Sequence, residues 1–145
     1  MLSITTEHAL RALSFLACTA DGGSLLGREL SERADVPVTY LSKIMLTLRN
    51  GGYVAATRGL GGGYRLLRAP ETITLMDIVE LFEGPRTRPR CVLGYGLCSD
   101  ENPCGAHKAW LKVRDHEVAF LEKTRLSDIK PPGLRKKATT ARSRK

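Results

Sequence analysis

The stretch of sequence that decides the fold runs from residue 36 to residue 70 and reads VPVTYLSKIMLTLRNGGYVAATRGLGGGYRLLRAP. Its first part carries apolar residues at helical spacing over about residues 38 to 50, and Gly51-Gly52 stops the helix. A second helical pattern precedes it at about 26 to 34, and only residues 35 to 37 separate the two. Two helices joined by so short a turn are typical of a helix-turn-helix.

The second part of this stretch predicts a β-hairpin. Two strand-like runs, residues 53 to 57 and 64 to 67, flank the segment Arg58-Gly59-Leu60-Gly61-Gly62-Gly63. Each glycine weakens a strand by roughly 0.5 to 1 kcal/mol relative to alanine unless another group must come close to the backbone. We interpret the glycines as allowing close approach to a phosphate group. The hairpin is then the wing of a winged helix-turn-helix, although a merely flexible loop is the alternative.

Three further helices are predicted around this core. One runs over about residues 6 to 19 with Thr6 as its N-cap, and another begins at a capping box formed by Thr74 and Asp77. The last, over about residues 106 to 123, is amphipathic and needs a partner surface. The apolar positions that define these two later helices are Leu75, Ile78, Val79 and Phe82, and Trp110, Val113, Phe120 and Leu121.

The predicted fold class is therefore mainly α with a small β-hairpin wing, a winged helix-turn-helix followed by a long C-terminal helix. The 145 residues divide into a DNA-binding domain (1 to 84), a cysteine-rich loop (85 to 105), the long helix with a terminal turn (106 to 129) and a basic tail (130 to 145). The tail is expected to be disordered. Since no signal peptide or apolar stretch of membrane-spanning length is present, a cytoplasmic protein without membrane association is expected.

The net charge of +8 suggests a nucleic-acid partner only after it has been located along the chain. Seven basic residues and no acidic one lie from Lys130 onward, so the first 129 residues carry 16 basic and 15 acidic groups. The body of the protein is nearly neutral. Residues 36 to 70, however, hold five basic residues and no Asp or Glu. This local excess, rather than the tail, favours DNA binding by the helix-turn-helix.

The third helix is predicted to read DNA. Val38, Leu41, Ile44, Met45 and Leu48 are expected to face the core, which leaves Thr39, Tyr40, Ser42, Lys43 and Thr47 on the outer face. Hydroxyl groups can meet base edges or phosphates, and Lys43 supplies positive charge. Arg58 at the base of the wing can enter a minor groove. An ordinary solvated helix is the alternative interpretation of the same pattern.

Three cysteines lie in one loop as Cys91, Cys98 and Cys104, and His107 follows them. Clustered cysteines in a cytosolic protein suggest metal or redox chemistry, with a solvated loop as the alternative. The spacing is wider than in most structural zinc sites, whereas iron-sulfur clusters accept thiolates from longer loops. Cys18 stands apart and is interpreted as a small core residue.

Three segments carry a resemblance to a known family: Tyr40-Leu41-Ser42-Lys43, Leu48-Arg49-Asn50-Gly51-Gly52-Tyr53-Val54 and Arg58-Gly59-Leu60-Gly61-Gly62-Gly63-Tyr64. The chain resembles the Rrf2 family of bacterial transcription regulators, and the Arg-Gly-x-Gly-Gly-Gly-Tyr wing is the most specific signature. The similarity extends from Ile4 to Ile129 and leaves out only the basic tail. It implies a homodimer that pairs through the long C-terminal helix and binds a near-palindromic operator in double-stranded DNA.

The resemblance also implies a use for the cysteines, because many Rrf2 regulators bind an iron-sulfur cluster with three cysteines just before the dimerisation helix. His107 matches the histidine that completes a [2Fe-2S] site in the cluster-assembly regulators, and this type is favoured. Glu7 matches the acidic residue that nitric-oxide-sensing members present from the partner subunit to a [4Fe-4S] cluster, and His8 is a third candidate. The alternatives are an incidental histidine and a helix-dipole role for Glu7. Ser42 replaces an acidic residue of some cluster-assembly regulators, so their operator preference is not carried over.

These features predict a transcriptional regulator whose operator binding is controlled by an iron-sulfur cluster that senses iron-sulfur status, redox state or nitric oxide. The DNA contacts are assigned to Thr39, Tyr40, Ser42, Lys43, Arg58, Gly59, Gly61, Gly62, Gly63 and Tyr64. A cluster-free regulator that senses a metabolite, a partner protein or thiol oxidation is the alternative. No enzyme and no small-molecule substrate are predicted, because the glycine-rich run joins two strands rather than opening a helix as a P-loop does.

Overall fold

The pattern of apolar residues and caps produces a mainly helical chain with one antiparallel hairpin, as the sequence predicts. The computed structural model describes residues 1–19, 22–86 and 90–133, so most of the predicted basic tail lies outside the described residues. The elements are α1 (Ile4–Ala17), α2 (Gly27–Ala34), α3 (Val38–Asn50), β1 (Val54–Thr57), β2 (Gly63–Leu66), α4 (Leu75–Glu83) and α5 (His107–Lys123), with short 3₁₀ turns at Pro70–Thr72 and Leu126–Asp128. None of the helices described is long and apolar enough to cross a membrane.

Helix α1 begins two residues earlier than predicted because Ser3, not Thr6, is its N-cap. The Ser3 hydroxyl accepts a hydrogen bond from the Thr6 amide at 3.2 Å. Thr6 is fully buried, and its hydroxyl donates to Glu83 Oε1 at 2.7 Å. The helix ends at Ala17, and Cys18 is its C-cap residue. The side chain of Cys18 is exposed. The interpretation of Cys18 as a core residue is therefore wrong, since the helix has already ended and its thiol faces solvent.

Helices α2 and α3 form the predicted helix-turn-helix. Asp35 takes a left-handed conformation with φ of 53°, which ends α2 and lets α3 start directly after Pro37. The apolar face of α3 is buried at Leu41, Ile44, Met45 and Leu48, but Val38 is half exposed. Helical side chains point back toward the N-terminus, so the side chain of the first residue projects beyond the helix instead of into the core.

The wing is anchored to the rest of the fold by a third chain segment. Strands β1 and β2 pair with Val54 opposite Leu66 and Thr57 opposite Gly63. Leu25, in the connection between α1 and α2, exchanges two backbone hydrogen bonds with Tyr64, at 2.8 and 2.9 Å. These hydrogen bonds attach the hairpin to the body of the domain and fix the direction of its backbone where β2 begins.

Two wing glycines are required by the protein's own backbone, which corrects the interpretation that phosphate approach explains them. A Cβ on Gly62 would lie 2.3 Å from the Thr57 carbonyl oxygen, and one on Gly63 would lie 2.3 Å from that of Leu25. Gly59 and Gly61 have no such neighbour within 4 Å but adopt φ of +93° and +71°. Gly62 permits close packing within the wing, Gly63 permits close packing against the segment at Leu25, and Gly59 and Gly61 permit the turn at the tip.

Helix α4 has the predicted capping box and packs between the domain and α5. The Asp77 amide donates to the Thr74 hydroxyl at 3.0 Å, and the Thr74 amide donates to Asp77 Oδ2 at 2.8 Å. Leu75, Ile78 and Val79 are buried as predicted, while Phe82 is only partly covered because it lies in the last turn. Leu121 of α5 packs against the α4 residues Leu75, Met76 and Val79.

The face of α5 that carries Val113 and Phe120 has no cover within the described chain. Val113 is 59% exposed and Phe120 is 58% exposed, although the sequence predicts that both are apolar contact positions. A helix with apolar residues on a face away from its own core is typical of a helix that has a partner.

Glu83 at the end of α4 holds the start of α1 in place. Its carboxylate accepts hydrogen bonds from the Ser3 amide at 2.7 Å and from the Thr6 hydroxyl, and it pairs with Arg86 at 2.6 Å. Arg86 also reaches Glu117 of α5 at 3.2 Å. Burial works to raise the pKa of Glu83, but the hydrogen bonds from Ser3, Thr6 and Arg86 outweigh it and lower the pKa to about 2.

We expect Glu83→Gln to lower the free energy of unfolding at pH 7 by about 2 kcal/mol, allowing for partial solvent screening of the carboxylate. A depressed pKa contributes stability that is present above the unfolded value of 4.5 and is lost as the pH falls toward about 2. The difference between the two proteins should therefore shrink over that interval. Urea unfolding at several pH values measures it, and a difference that stays constant from pH 7 to pH 2.5 would contradict the assignment.

Candidate nucleic-acid interface and metal centre

The outward face of α3 presents short polar side chains and one lysine. Thr39, Ser42 and Lys43 are exposed. The Ser42 hydroxyl donates to the Val38 carbonyl at 2.9 Å, and Thr47 donates to the Lys43 carbonyl at 3.3 Å. Each hydroxyl oxygen keeps its acceptor capacity while its proton is held by the helix. This face can accept hydrogen bonds from base amino groups and bring a positive charge to the phosphate backbone.

Tyr40 does not share the outer face, contrary to the sequence interpretation. Its hydroxyl is hydrogen-bonded to the Thr5 hydroxyl, and its ring meets the His8 ring edge-on with centroids 5.5 Å apart. Tyr40 is half-buried because its position in the first turn of α3 faces α1 rather than solvent. Its role in the structure is to join α1 to the start of α3.

The wing contributes two exposed cations, Arg58 and Arg65, and one anchored tyrosine. Arg58 is exposed immediately after β1, and its side chain makes no hydrogen bond or ion pair with any residue that the structure describes. Tyr64 is half-buried against the start of α2, where a Cβ on Gly27 would approach its ring to 3.3 Å. Gly59 and Gly61 shape the tip around the fully exposed Leu60. Arg58 is thus available to DNA, whereas Tyr64 mainly positions the wing.

Arg49 is a candidate that sequence reasoning missed. It lies in the last turn of α3, is exposed, and borders two grooves between α3 and the wing, of about 210 and 370 Å³. Like Arg58, it has no ion-pair partner among the described side chains. The acid-free stretch from residue 36 to residue 70 was the signal for it, but only the fold shows that the side chain borders the groove beside Arg58 and Tyr64.

A small hairpin positions the first two cysteines of the loop. The Cys91 amide donates to the Gly96 carbonyl at 2.8 Å, and Arg90 pairs with Leu97 in an isolated antiparallel bridge. Gly94 and Gly96 take positive φ values of 81° and 98°, which the turn requires. Residues 91 and 98 therefore stand at the same end of the hairpin, despite the six residues between them.

The third cysteine lies three residues before α5 begins, and its thiol meets that of the first. Cys91 Sγ and Cys104 Sγ lie 3.8 Å apart. A cavity of about 400 Å³ is lined by Cys91, Cys98, Cys104 and His107 together with Tyr95, Leu97, Ser99, Asn102 and Pro103. The four loop residues that the sequence singled out thus line one cavity, and Cys91 and Cys104 are in contact.

The surroundings shift the pKa values of the Cys91 and Cys98 thiols in opposite directions. Backbone hydrogen bonds from Tyr95 and Leu93, and the neighbouring thiols of Cys104 and Cys98, lower the pKa of Cys91. Desolvation, followed by the negative charges that Cys91 and Cys104 can carry, raises the pKa of Cys98. A lowered pKa favours the thiolate form of Cys91.

His107 lies in the cavity wall with 6% of its surface exposed. Its Nε2 is 2.8 Å from Asp100 Oδ1, whose own side chain is 93% exposed. An exposed carboxylate can turn away at little cost, so this contact leaves Nε2 available to a ligand. Asp100 is a second residue that the sequence reading did not consider. The described residues contain no group of three or more His, Cys, Asp or Glu side chains arranged to hold a single metal ion.

The loop is fastened to α5, while Glu7 is elsewhere. Trp110 Nε1 donates to the Arg90 carbonyl at 2.8 Å, and Arg114 donates to the Arg86 carbonyl. Glu7 is exposed in the first turn of α1 and is not among the residues that line the cysteine cavity. A role for Glu7 as a ligand from a partner subunit remains a proposal.

Comparison with known proteins gives a consistent result. The model of the Rrf2 family, described as an iron-dependent transcriptional regulator, matches residues 2–131. The HTH-type transcriptional regulator IscR of Cereibacter sphaeroides is 34% identical over 132 residues, which cover 88% of this chain and 85% of the relative. An HTH-type transcriptional regulator of Aquifex aeolicus is 31% identical over 131 residues, with coverage of 89% and 90%.

Solved structures share the whole architecture. CymR, the global cysteine regulator of B. subtilis, superposes with a TM-score of 0.73 at 27% identity and covers 88% of this chain and 94% of its own. IscR of T. potens superposes with a TM-score of 0.67 at 26% identity, with coverage of 88% and 84%. These relatives are transcriptional regulators rather than enzymes. The winged helix-turn-helix and the long C-terminal helix are therefore those of a DNA-binding regulator, and the chain belongs to the Rrf2 family.

Proposed function

We propose that this protein binds a near-palindromic operator as a homodimer, through α3 and the wing, and that an iron-sulfur cluster held by the cysteine loop controls this binding. The observation that best supports cluster binding is the 3.8 Å separation of Cys91 Sγ and Cys104 Sγ in a cavity that Cys98 and His107 also line. Similarity to IscR regulators supports the same proposal.

The free cations on one surface support the DNA-binding half of the proposal. Lys43, Arg49 and Arg58 are exposed and make no ion pair within the described parts of the chain, whereas Arg68 is held over the Tyr53 ring at 4.5 Å. Cations without partners gain the most free energy from binding a phosphate group, because no existing ion pair has to be broken. The uncovered Val113 and Phe120 on α5 support pairing of two chains, which would present two reading heads to two half-sites.

We expect Arg49→Ala to weaken operator binding by roughly fivefold to tenfold and to reduce the slope of log affinity against log salt by about 0.9, the value for one lost phosphate contact. Arg58→Ala and Lys43→Ala should behave in the same way. Fluorescence anisotropy with a promoter fragment at several salt concentrations measures the effect. Lys123→Ala, which removes the same charge from the far end of α5, is the matched control. An equal loss for Lys123→Ala would show that only net charge matters.

The cysteine cavity fits the chemistry of a cluster. Metal-sulfur bonds of about 2.3 Å at a tetrahedral angle place two sulfurs about 3.8 Å apart. Cys91 and Cys104 have this separation. A single ion would need further donors converging on the same point, and the described residues do not provide them. A cluster distributes its protein ligands over more than one iron, so a third cysteine at the cavity wall suits it better.

Cys91, Cys98 and Cys104 would hold the cluster, with His107 as the fourth ligand of a favoured [2Fe-2S] form and Glu7 of the partner subunit as the alternative for a [4Fe-4S] form. Such a group supplies a redox change of one electron and an iron that nitric oxide or oxygen can reach. The protein's part is to hold the loop to α5, through Trp110 and the backbone of Arg90. A change in the loop can then alter the spacing of the two reading heads.

Anaerobic reconstitution with iron and sulfide tests the proposal. We expect a coloured protein with bound iron and sulfide, an EPR signal after one-electron reduction, and promoter affinity that differs between the reconstituted and iron-free forms. A colourless and iron-free product would overturn cluster control. A coloured product with unchanged promoter binding would overturn the regulatory half alone.

A cluster-free regulator is the second candidate, and the similarity to CymR favours it. The TM-score to the global cysteine regulator, 0.73, is slightly above the 0.67 to the T. potens IscR. In that case the cysteines would respond to oxidation, or the protein would sense a metabolite or a partner. Metal analysis after anaerobic purification separates the two candidates, because only the first requires iron in stoichiometric amounts.

A further inference from the structure

The three loop cysteines are not equally close to one another, because Cys91 and Cys104 are the pair whose thiols are in contact. Cys91 Sγ and Cys104 Sγ are 3.8 Å apart, and both side chains are partly exposed at the wall of an open cavity. A disulfide bond is about 2.05 Å long, so the two sulfurs need to approach by only about 1.8 Å. A water-sized oxidant can reach them through the cavity.

We propose that Cys91 and Cys104 form a specific, reversible disulfide when the iron-free protein meets a peroxide. The disulfide would modify the proposed cluster site, so its regulatory meaning rests on the proposed function. The pairing itself rests on the distance between the two sulfurs. Oxidation removes two thiolate ligands at once. The product cannot accept a cluster until a thiol reductant restores it.

The reaction balances with hydrogen peroxide as the two-electron oxidant. One thiolate attacks a peroxide oxygen, the O–O bond breaks, and a sulfenic acid and hydroxide form. The second thiol attacks the sulfenic sulfur, the S–S bond forms, and the departing oxygen leaves as water after taking up a proton. In total two thiols and one hydrogen peroxide give one disulfide and two waters.

The surrounding backbone favours this pair. Cys91 is held at the base of its hairpin by the bond from its amide to Gly96, and the Cys104 carbonyl accepts the His107 amide at 3.0 Å as α5 begins. Both anchors are backbone hydrogen bonds, so neither of them uses the two thiols. The disulfide would therefore join the cysteine hairpin to the segment that leads into α5.

Peptide mapping of peroxide-treated, iron-free, full-length protein tests the proposal. Of four cysteines, two should resist alkylation, and mass spectrometry should recover a peptide linking residues 91 and 104 that dithiothreitol releases. Cys98→Ala should still form the link, whereas Cys104→Ala should not. Cys18→Ala controls for bonds between molecules through the exposed thiol at the end of α1.

The outcomes separate this inference from the proposed function. A dominant link between residues 91 and 98, links through Cys18, or over-oxidation with no disulfide would each overturn the pairing. Parallel samples are reconstituted with iron and sulfide, where oxidised protein should stay colourless until it is reduced. If reduced protein also stays colourless while the 91–104 link forms, the cluster proposal fails and the pairing stands. If reduced protein takes up the cluster but no link forms, the pairing fails and the cluster proposal stands.

Discussion

Gly63→Ala is expected to destabilise the protein by about 3 kcal/mol and to abolish specific operator binding at concentrations that saturate the wild type. The backbone at Gly63 has φ of +122°, and a Cβ there would lie 2.3 Å from the Leu25 carbonyl oxygen. Strain at such a φ costs of order 1–3 kcal/mol, and overpacking against backbone adds a similar amount. The chain can relieve the overlap only by separating β2 from the segment at Leu25, which moves the wing.

Gly61→Ala is the matched control for this prediction. Gly61 also has a positive φ, +71°, but no atom lies within 4 Å of the site of its Cβ. Only the conformational cost of about 1 kcal/mol should appear. Thermal unfolding and anisotropy with a promoter fragment measure both variants. Equal effects of the two substitutions would show that backbone conformation, and not the contact with Leu25, controls the wing.

Cys104→Ala is expected to eliminate the chromophore of the reconstituted protein entirely and to make promoter affinity independent of reconstitution. The substitution removes one of the two sulfurs that already stand at the distance of two ligands on a tetrahedral ion. The remaining pair, Cys91 and Cys98, cannot supply the third cysteine that the proposal needs. Because the backbone of Cys104 still accepts the His107 amide, the stability of the iron-free protein should change by less than about 1 kcal/mol.

Cys18→Ala is the matched control for the cysteine. It removes an equally small thiol that is exposed at the end of α1 and does not line the cavity. Iron content, visible absorption and promoter binding should all match the wild type. A Cys104→Ala protein that keeps the wild-type spectrum would show that the loop does not hold the cluster.

The sequence alone predicted the helices and their limits where a local signal exists. The capping box of Thr74 and Asp77, the stop at Gly51-Gly52 and the short turn before α3 are all encoded within a few neighbouring residues, and the structure confirms them. The start of α1 was predicted two residues late because Ser3 and Thr6 are both good N-caps. The Glu83 carboxylate, 77 residues away from Thr6, engages the Thr6 hydroxyl and leaves the cap to Ser3.

What the sequence by itself determined is the winged helix-turn-helix, the acid-free segment from residue 36 to residue 70 and the presence of three cysteines before a long amphipathic helix, since spacing and charge are local properties. The tertiary structure alone decided that Tyr40 faces α1, that Gly62 and Gly63 accommodate the protein's own backbone, and that Arg49 borders the groove beside the wing. It alone placed Cys104 against Cys91. These facts depend on which segments pack together, and packing between distant segments leaves no periodic pattern in either of them.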